Sequence, residues 1–222
     1  MKKTLTLLVM LFTMIVSAQT KESNAFKKYV PMEYSLQEVI KGDLNKDGVE
    51  DIVLLIKGTD EEMQLPDQWG NEIVDKNRRG IIILFNVAGQ YKVVSKNYSC
   101  FSSENEDGGV YMPPDLYFTI NNSKLYIHYS HGRYGYWKYT LRYQNGDMEL
   151  IGYDSSSHRG PIVLYDTSIN FSTKKRLDRE NMNADKGDEL EVKFVSKWSS
   201  IDFPKLLRLS EIKDFDDLHF WE

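Results

Sequence analysis

The sequence predicts a mainly β protein of antiparallel sheets built from hairpins, with one oxygen-rich loop and one or two short helices. Three observations predict it. Short apolar or alternating runs recur, each bounded by Gly, Asn, Asp or Ser, which is the strand-and-turn pattern. The aromatic content, 14 Tyr and 10 Phe in 222 residues, favours pleated, half-buried surfaces over helices. Asn145-Gly146, set between alternating segments, is the strongest short hairpin signal, because both central residues of a type I′ turn need positive φ.

The chain opens with Met1-Lys2-Lys3, an apolar stretch from Leu5 to Val16, and Val16-Ser17-Ala18 before Gln19. A basic start, an apolar core and a small-x-small exit read as a secretory signal peptide over residues 1–18. The stretch is shorter than the roughly 20 apolar residues a membrane helix needs. The expectation is a secreted protein, periplasmic or extracellular, with residues 19–222 as a single β-rich domain and no membrane insertion after cleavage. Loss of Lys2 and Lys3 would move the formal charge from -5 to two units more negative. An acidic chain disfavours nucleic acid as a partner. Cys100 is the lone cysteine, which rules out an internal disulfide, and it reads as a small buried apolar residue.

Residues 20–32 are polar and read as a flexible or short helical lead-in. Tyr34 to Ile40 reads as a strand entering the loop, and Val49 to Lys57 as a buried strand leaving it. Gly58 to Arg79 reads as a long covering loop. Gly80 to Asn86 and Tyr91 to Val94 form a hairpin around Val87-Ala88-Gly89, and Leu116 to Ile120 with Leu125 to Tyr129 a second. In the third, the turn at Asn145-Gly146 sets Gln144 opposite Asp147, Tyr143 opposite Met148, Arg142 opposite Glu149 and Leu141 opposite Leu150. One face then carries Trp137, Tyr139, Leu141, Tyr143, Met148 and Leu150, and the other an Arg142–Glu149 charge pair. Further strands are expected at Ile162 to Tyr165, Ile169 to Phe171 and Leu190 to Val195, with a short amphipathic helix over Pro204 to Ile212.

The most specific motif is Gly42-Asp43-Leu44-Asn45-Lys46-Asp47-Gly48-Val49-Glu50-Asp51, followed by the apolar run Ile52 to Ile56. Oxygen-bearing side chains recur at every second position, with a glycine after the third. That is how a short loop wraps a hard cation such as calcium. Asp43, Asn45 and Asp47 supply positions one, three and five, the Val49 carbonyl position seven, and Asp51 position nine. The residue at position twelve is Leu54 rather than glutamate, so an EF-hand is excluded.

Residues Val39 to Lys57 resemble the calcium loop and following strand of FG-GAP or VCBS-type repeats, the integrin-α-like propeller repeats. The resemblance implies metal ligands at Asp43, Asn45, Asp47, the Val49 carbonyl and Asp51. The loop, the acidic Glu106-Asp107-Gly108-Gly109-Val110 segment, an aromatic strand and Arg142 through Asp154 are together similar to uncharacterised secreted bacterial proteins. That likeness implies no activity.

Other candidates are weaker. His128 and His131, three apart in a strand, fall on opposite faces, which is poor zinc geometry. Asp154-Ser155-Ser156-Ser157-His158 holds the residue types of a hydrolase triad without a G-x-S-x-G elbow, and reads as a solvated turn. The aromatic segment Tyr134 to Tyr139 invites a carbohydrate-stacking reading, but alternation puts Trp137 and Tyr139 on the apolar face, so it reads as core packing, with Tyr134 and Tyr136 left for the opposite face. Asn183 to Asp188 reads as a polar turn. These weights favour a calcium-stabilised binding or interaction module, its partner a protein or glycan, over an enzyme. The alternative is a secreted hydrolase acting on glycan or peptide through carboxylates of the 104–107 loop.

Overall fold

The computed structural model describes residues 24–105, 113–186, 191–218 and 220. The leader, the Glu106–Val110 segment and the start of the strand expected at Leu190 lie outside the described residues. In chain order the first strands are β1 (Tyr34–Gly42), β2 (Asp51–Gly58), β3 (Gln64–Pro66), β4 (Ile73–Asp75), β5 (Arg79–Val87), β6 (Gln90–Phe101) and β7 (Asp115–Asn121). There follow β8 (Lys124–Ser130), β9 (Gly135–Gln144), β10 (Asp147–Arg159), β11 (Ile162–Asn170), β12 (Lys175–Asn181) and β13 (Phe194–Ser200). They form a four-stranded sheet ordered β1-β2-β5-β6, a seven-stranded sheet ordered β13-β12-β11-β10-β9-β8-β7, and a small β3-β4 hairpin. All pairs are antiparallel, so the mainly β reading holds.

The two large sheets pack face to face as a sandwich. Val53, Leu55, Ile81, Ile83 and Phe85 of the smaller sheet meet Phe118, Leu125, Ile127, Tyr139, Leu141, Leu150 and Ile169 of the larger one. The other face of the smaller sheet, Ile52, Leu54, Ile56, Ile82 and Leu84, is covered by Phe26, Tyr29 and Val30 of the N-terminal segment and by side chains of β1 and β6. Burial on both faces explains why Ile52–Ile56 and Ile81–Phe85 are continuous apolar runs rather than alternating ones. The C-terminal segment fills the space between the sheets with Leu209, Ile212 and Phe215.

The third hairpin has the predicted register, Asp147 opposite Gln144 through Leu150 opposite Leu141. Asn145 and Gly146 both take positive φ, 54° and 83°. A bulge between Leu150 and Gly152 then lets Tyr153 rejoin the core face opposite Tyr139. Asp147 receives the hydroxyls of Ser95 and Ser210, which ties this hairpin to β6 and to the C-terminal segment. The expected Arg142–Glu149 ion pair is replaced: Arg142 Nε donates to Gln144 at 2.8 Å, and Glu149 accepts from Gln144 and Asn145 and faces Arg208 at 3.9 Å. The backbone bridge between Glu149 and Arg208 brings Arg208 beside Glu149.

Four further expectations are corrected. Asp154–His158 is not a turn but the middle of β10, held between β9 and β11. The two short strands at 162–171 are one, β11, because a polar middle, Asp166-Thr167-Ser168, still pairs on both sides. Gly58 to Arg79 contains the β3-β4 hairpin, and β12, rich in charge, gave no apolar signal. The helix expected over 204–212 is a single 3-10 turn, Leu209–Glu211, since the preceding residues run extended with Leu207 accepting from the Leu150 N–H at 2.8 Å. Among the described residues no helix is long and apolar enough to cross a membrane.

Candidate functional site

The Asp43–Asp51 loop joins β1 to β2 at one end of the smaller sheet, and a strand follows it directly, as its sequence requires. Alternating Asx residues close it by accepting backbone N–H groups ahead of them. Asp43 Oδ1 accepts from Lys46 at 2.6 Å and Oδ2 from Gly48 at 3.1 Å. Asn45 Oδ1 accepts from the Asp47 N–H, and Asp47 Oδ1 from the Val49 N–H. Lys46 (φ 68°) and Gly48 (φ 81°) take the left-handed conformation that brings these donors inward. The Asn45 amide reaches Asp47 Oδ2 at 2.9 Å, so these two side chains meet.

Two anchors set the loop into the molecule. Leu44, 2% exposed, enters the core between the sheets. Asp51, 0% exposed, accepts from the Leu44 N–H at 2.9 Å through Oδ2 and from the Asn86 N–H at 3.0 Å through Oδ1. Its carboxyl is pushed above the ordinary carboxylate range by burial; the Leu44 and Asn86 N–H groups oppose this, and the charge of Asp47 adds to it. Sequence reasoning named Asp51, but neither Leu44 as an anchor nor Asn86, whose contribution is a backbone N–H from β5.

Oxygen donors of hard character from Asp43, Asn45, Asp47, the Val49 carbonyl and Asp51 fit calcium better than zinc or copper. The burial of the Asp51 carboxylate is a cost that a nearby cation would offset. Each carboxylate oxygen holds one N–H bond and keeps a further lone pair for a metal. Among the described residues there is no group of three or more His, Cys, Asp or Glu gathered for a metal, so Asp43, Asp47 and Asp51 are not drawn together around one point.

The 104–107 region gives a different arrangement. Glu104 pairs with Lys57 Nζ at 2.5 Å, and Lys57, with its side chain 6% exposed, also pairs with Asp75 at 2.8 Å. Arg79 Nε lies 4.0 Å from the second Glu104 oxygen. Desolvation raises the Asp75 carboxyl, but hydrogen bonds from Lys57 and Asn77 outweigh it, and it sits below the ordinary range. Glu104 and Asp75 are thus two carboxylates of an ion-pair cluster bridged by Lys57. Glu106 and Asp107 lie outside the described residues.

The Ser-His-Asp residue types do meet, on the outward face of the larger sheet. Ser156 Oγ lies 2.7 Å from His158 Nε2 and donates to Asp166 Oδ1 at 2.6 Å, while Arg179 holds Asp166 Oδ2 at 2.8 Å. With its proton committed to Asp166, Ser156 receives the His158 N–H. The carboxylate thus orients the serine instead of the ring, the opposite of a hydrolase triad. His128 stacks on Tyr117 with centroids 4.6 Å apart and contacts Thr119, away from any shared metal position with His131. Cys100 is fully buried, its thiol pushed far up by desolvation, which makes it inert packing. Compared with known proteins, the chain matches no family model and no curated protein sequence.

Proposed function

We propose that this protein is a calcium-stabilised binding module that works in the periplasm or outside the cell. The reading is carried by the spacing of Asp43, Asn45, Asp47 and Asp51 in a loop whose buried Asp51 accepts N–H groups from Leu44 and from Asn86 of β5. A cation there would fasten β1, β2 and, through Asp51 and Asn86, β5. Its role is structural, because the donors close the loop on itself and leave no reacting position. The basic-apolar leader of residues 1–18 agrees with an exported protein that meets calcium there.

At about 1 mM external calcium and an affinity in the tens of micromolar, mass action adds roughly 2–3 kcal/mol to stability. The test is calorimetric titration of the purified protein with calcium and, separately, with magnesium. Saturable, calcium-selective heat that vanishes in Asp47→Ala supports the reading. Absence of calcium binding up to millimolar concentrations in the folded protein contradicts it.

A further inference from the structure

The inner face of the larger sheet changes character where the smaller sheet no longer covers it. Strand pairing sets three successive rows across β9, β10 and β11. The first is Tyr139–Tyr153–Ile169, which is core. The second is Trp137–Ser155–Thr167 and the third Gly135–Ser157–Tyr165. Alternation keeps all three on one face. Within one strand repeat, Tyr and Ile give way to Ser, Ser and Thr, and the face drops into a pocket of about 260 Å³ walled by Tyr134, Trp137, Tyr153 and Tyr165.

Trp137 is braced from behind by Tyr129, stacked with centroids 5.0 Å apart and planes 10° apart. Its position is thus fixed before anything binds. Tyr165, 53% exposed, forms the outer lip. The Thr167 hydroxyl donates to Asp178 at 2.9 Å, so its oxygen keeps acceptor capacity. Gly135 (φ 109°) lets β9 approach β10 here: a Cβ would stand 1.8 Å from the Ser156 carbonyl oxygen.

No Asp, Glu, Lys or Arg lines the pocket; His131 is its one ionisable residue besides the tyrosines. Charged side chains enter only on β12, where Asp178 pairs with Arg176. Fixed ring faces over a floor of neutral hydroxyls suit a ligand with an apolar C–H face and a rim of neutral hydroxyls. The volume lies below the about 300–1,000 Å³ of pockets that hold drug-sized ligands, which suits a small ligand of about one ring.

We propose that this pocket binds a single neutral sugar ring, stacked on Trp137 or Tyr165 with its hydroxyls on Ser155, Ser157 and Thr167. The proposal rests on the reading of the chain as a binding module and supplies its ligand class. Recognition of a terminal or branch residue of a glycan follows, since the pocket takes one ring.

The test is saturation-transfer NMR of the full protein with methyl glycosides of glucose, galactose, mannose and N-acetylglucosamine, alongside glucuronate and glucosamine as charged probes. Expected is transfer to at least one neutral glycoside, abolished in Ser157→Leu, which crowds the pocket mouth, and weakened about tenfold, or 1.4 kcal/mol, in Tyr165→Ala. Both positions are exposed or at the rim, so both variants should melt as the parent does. Absence of transfer to every neutral glycoside, binding of the charged probes alone, or binding untouched by both substitutions overturns the proposal. Running each titration with calcium and with EDTA separates the two ideas. Failure of sugar binding with the calcium response intact removes only the pocket; loss of the calcium response with sugar binding intact removes only the staple.

Discussion

Burying a carboxylate is costly unless hydrogen bonds and opposite charge meet it, and Asp51 is met by two backbone N–H groups from separate parts of the chain. Asp51→Ala strands both donors, one of them buried, and should cost about 2–4 kcal/mol by chemical denaturation even without calcium. Asp47, exposed and bonded to one loop N–H, should cost under about 1 kcal/mol as Asp47→Ala without calcium, yet lose the calcium response. The contrast separates folding from metal binding within one loop. The pH dependence divides similarly. Asp75 has a folded-state value below its unfolded one, so its contribution is present above the unfolded value and is lost as pH falls through the folded one. Below about pH 4 the parent should therefore lose stability that Asp75→Asn does not lose. Asp51 runs the other way: its raised value makes the ionised form the costly one, so acid relieves it. A denaturation series from neutral pH downward, run on parent and Asp75→Asn, checks the sign; parallel curves would contradict the Lys57–Asp75 pairing as described.

At the scale of elements, the third hairpin shows what a local signal settles. Gly146 at φ 83° needs no Cβ, and Gly146→Ala should cost about 1–2 kcal/mol, read as a lower denaturation midpoint with an unchanged slope. Its register was legible because the turn and the apolar alternation agree. The same holds for the runs Ile52–Ile56 and Ile81–Phe85, whose continuity announced burial on two faces. What was not legible lay where pairing overrides composition. The Lys175–Asn181 strand alternates charge and is held by neighbours on both sides, and Asp154–His158 looks like a turn until β9 and β11 enclose it. The 204–212 segment has helical spacing but is pulled straight by the Glu149–Arg208 bridge and by contacts with the core. The spacing of Asp43, Asn45, Asp47 and Asp51 announced the loop, whereas the Asn86 N–H that fixes Asp51 carries no side-chain signature.

For the whole molecule, the loop stands where two sheets and their connections meet. Leu44 sits in the inter-sheet core, the Asp51 carboxylate reaches β5, and a Cβ on Gly42 would stand 2.6 Å from Ile120 of β7. A cation at this junction would therefore stabilise the sandwich cooperatively rather than one loop alone, and its effect should appear in global unfolding. The sugar pocket lies on the larger sheet, built from β9, β10 and β11, so ligand and staple use different surfaces of one scaffold. The most direct test is a thermal melt of the purified protein in EDTA against about 1 mM calcium, with magnesium as control. The account predicts one cooperative transition that rises by roughly 5–10 °C with calcium alone, the scale of 2–3 kcal/mol in a domain of this size. A melting temperature unmoved by calcium, or moved equally by magnesium, would contradict the claim that Asp43–Asp51 is a calcium staple.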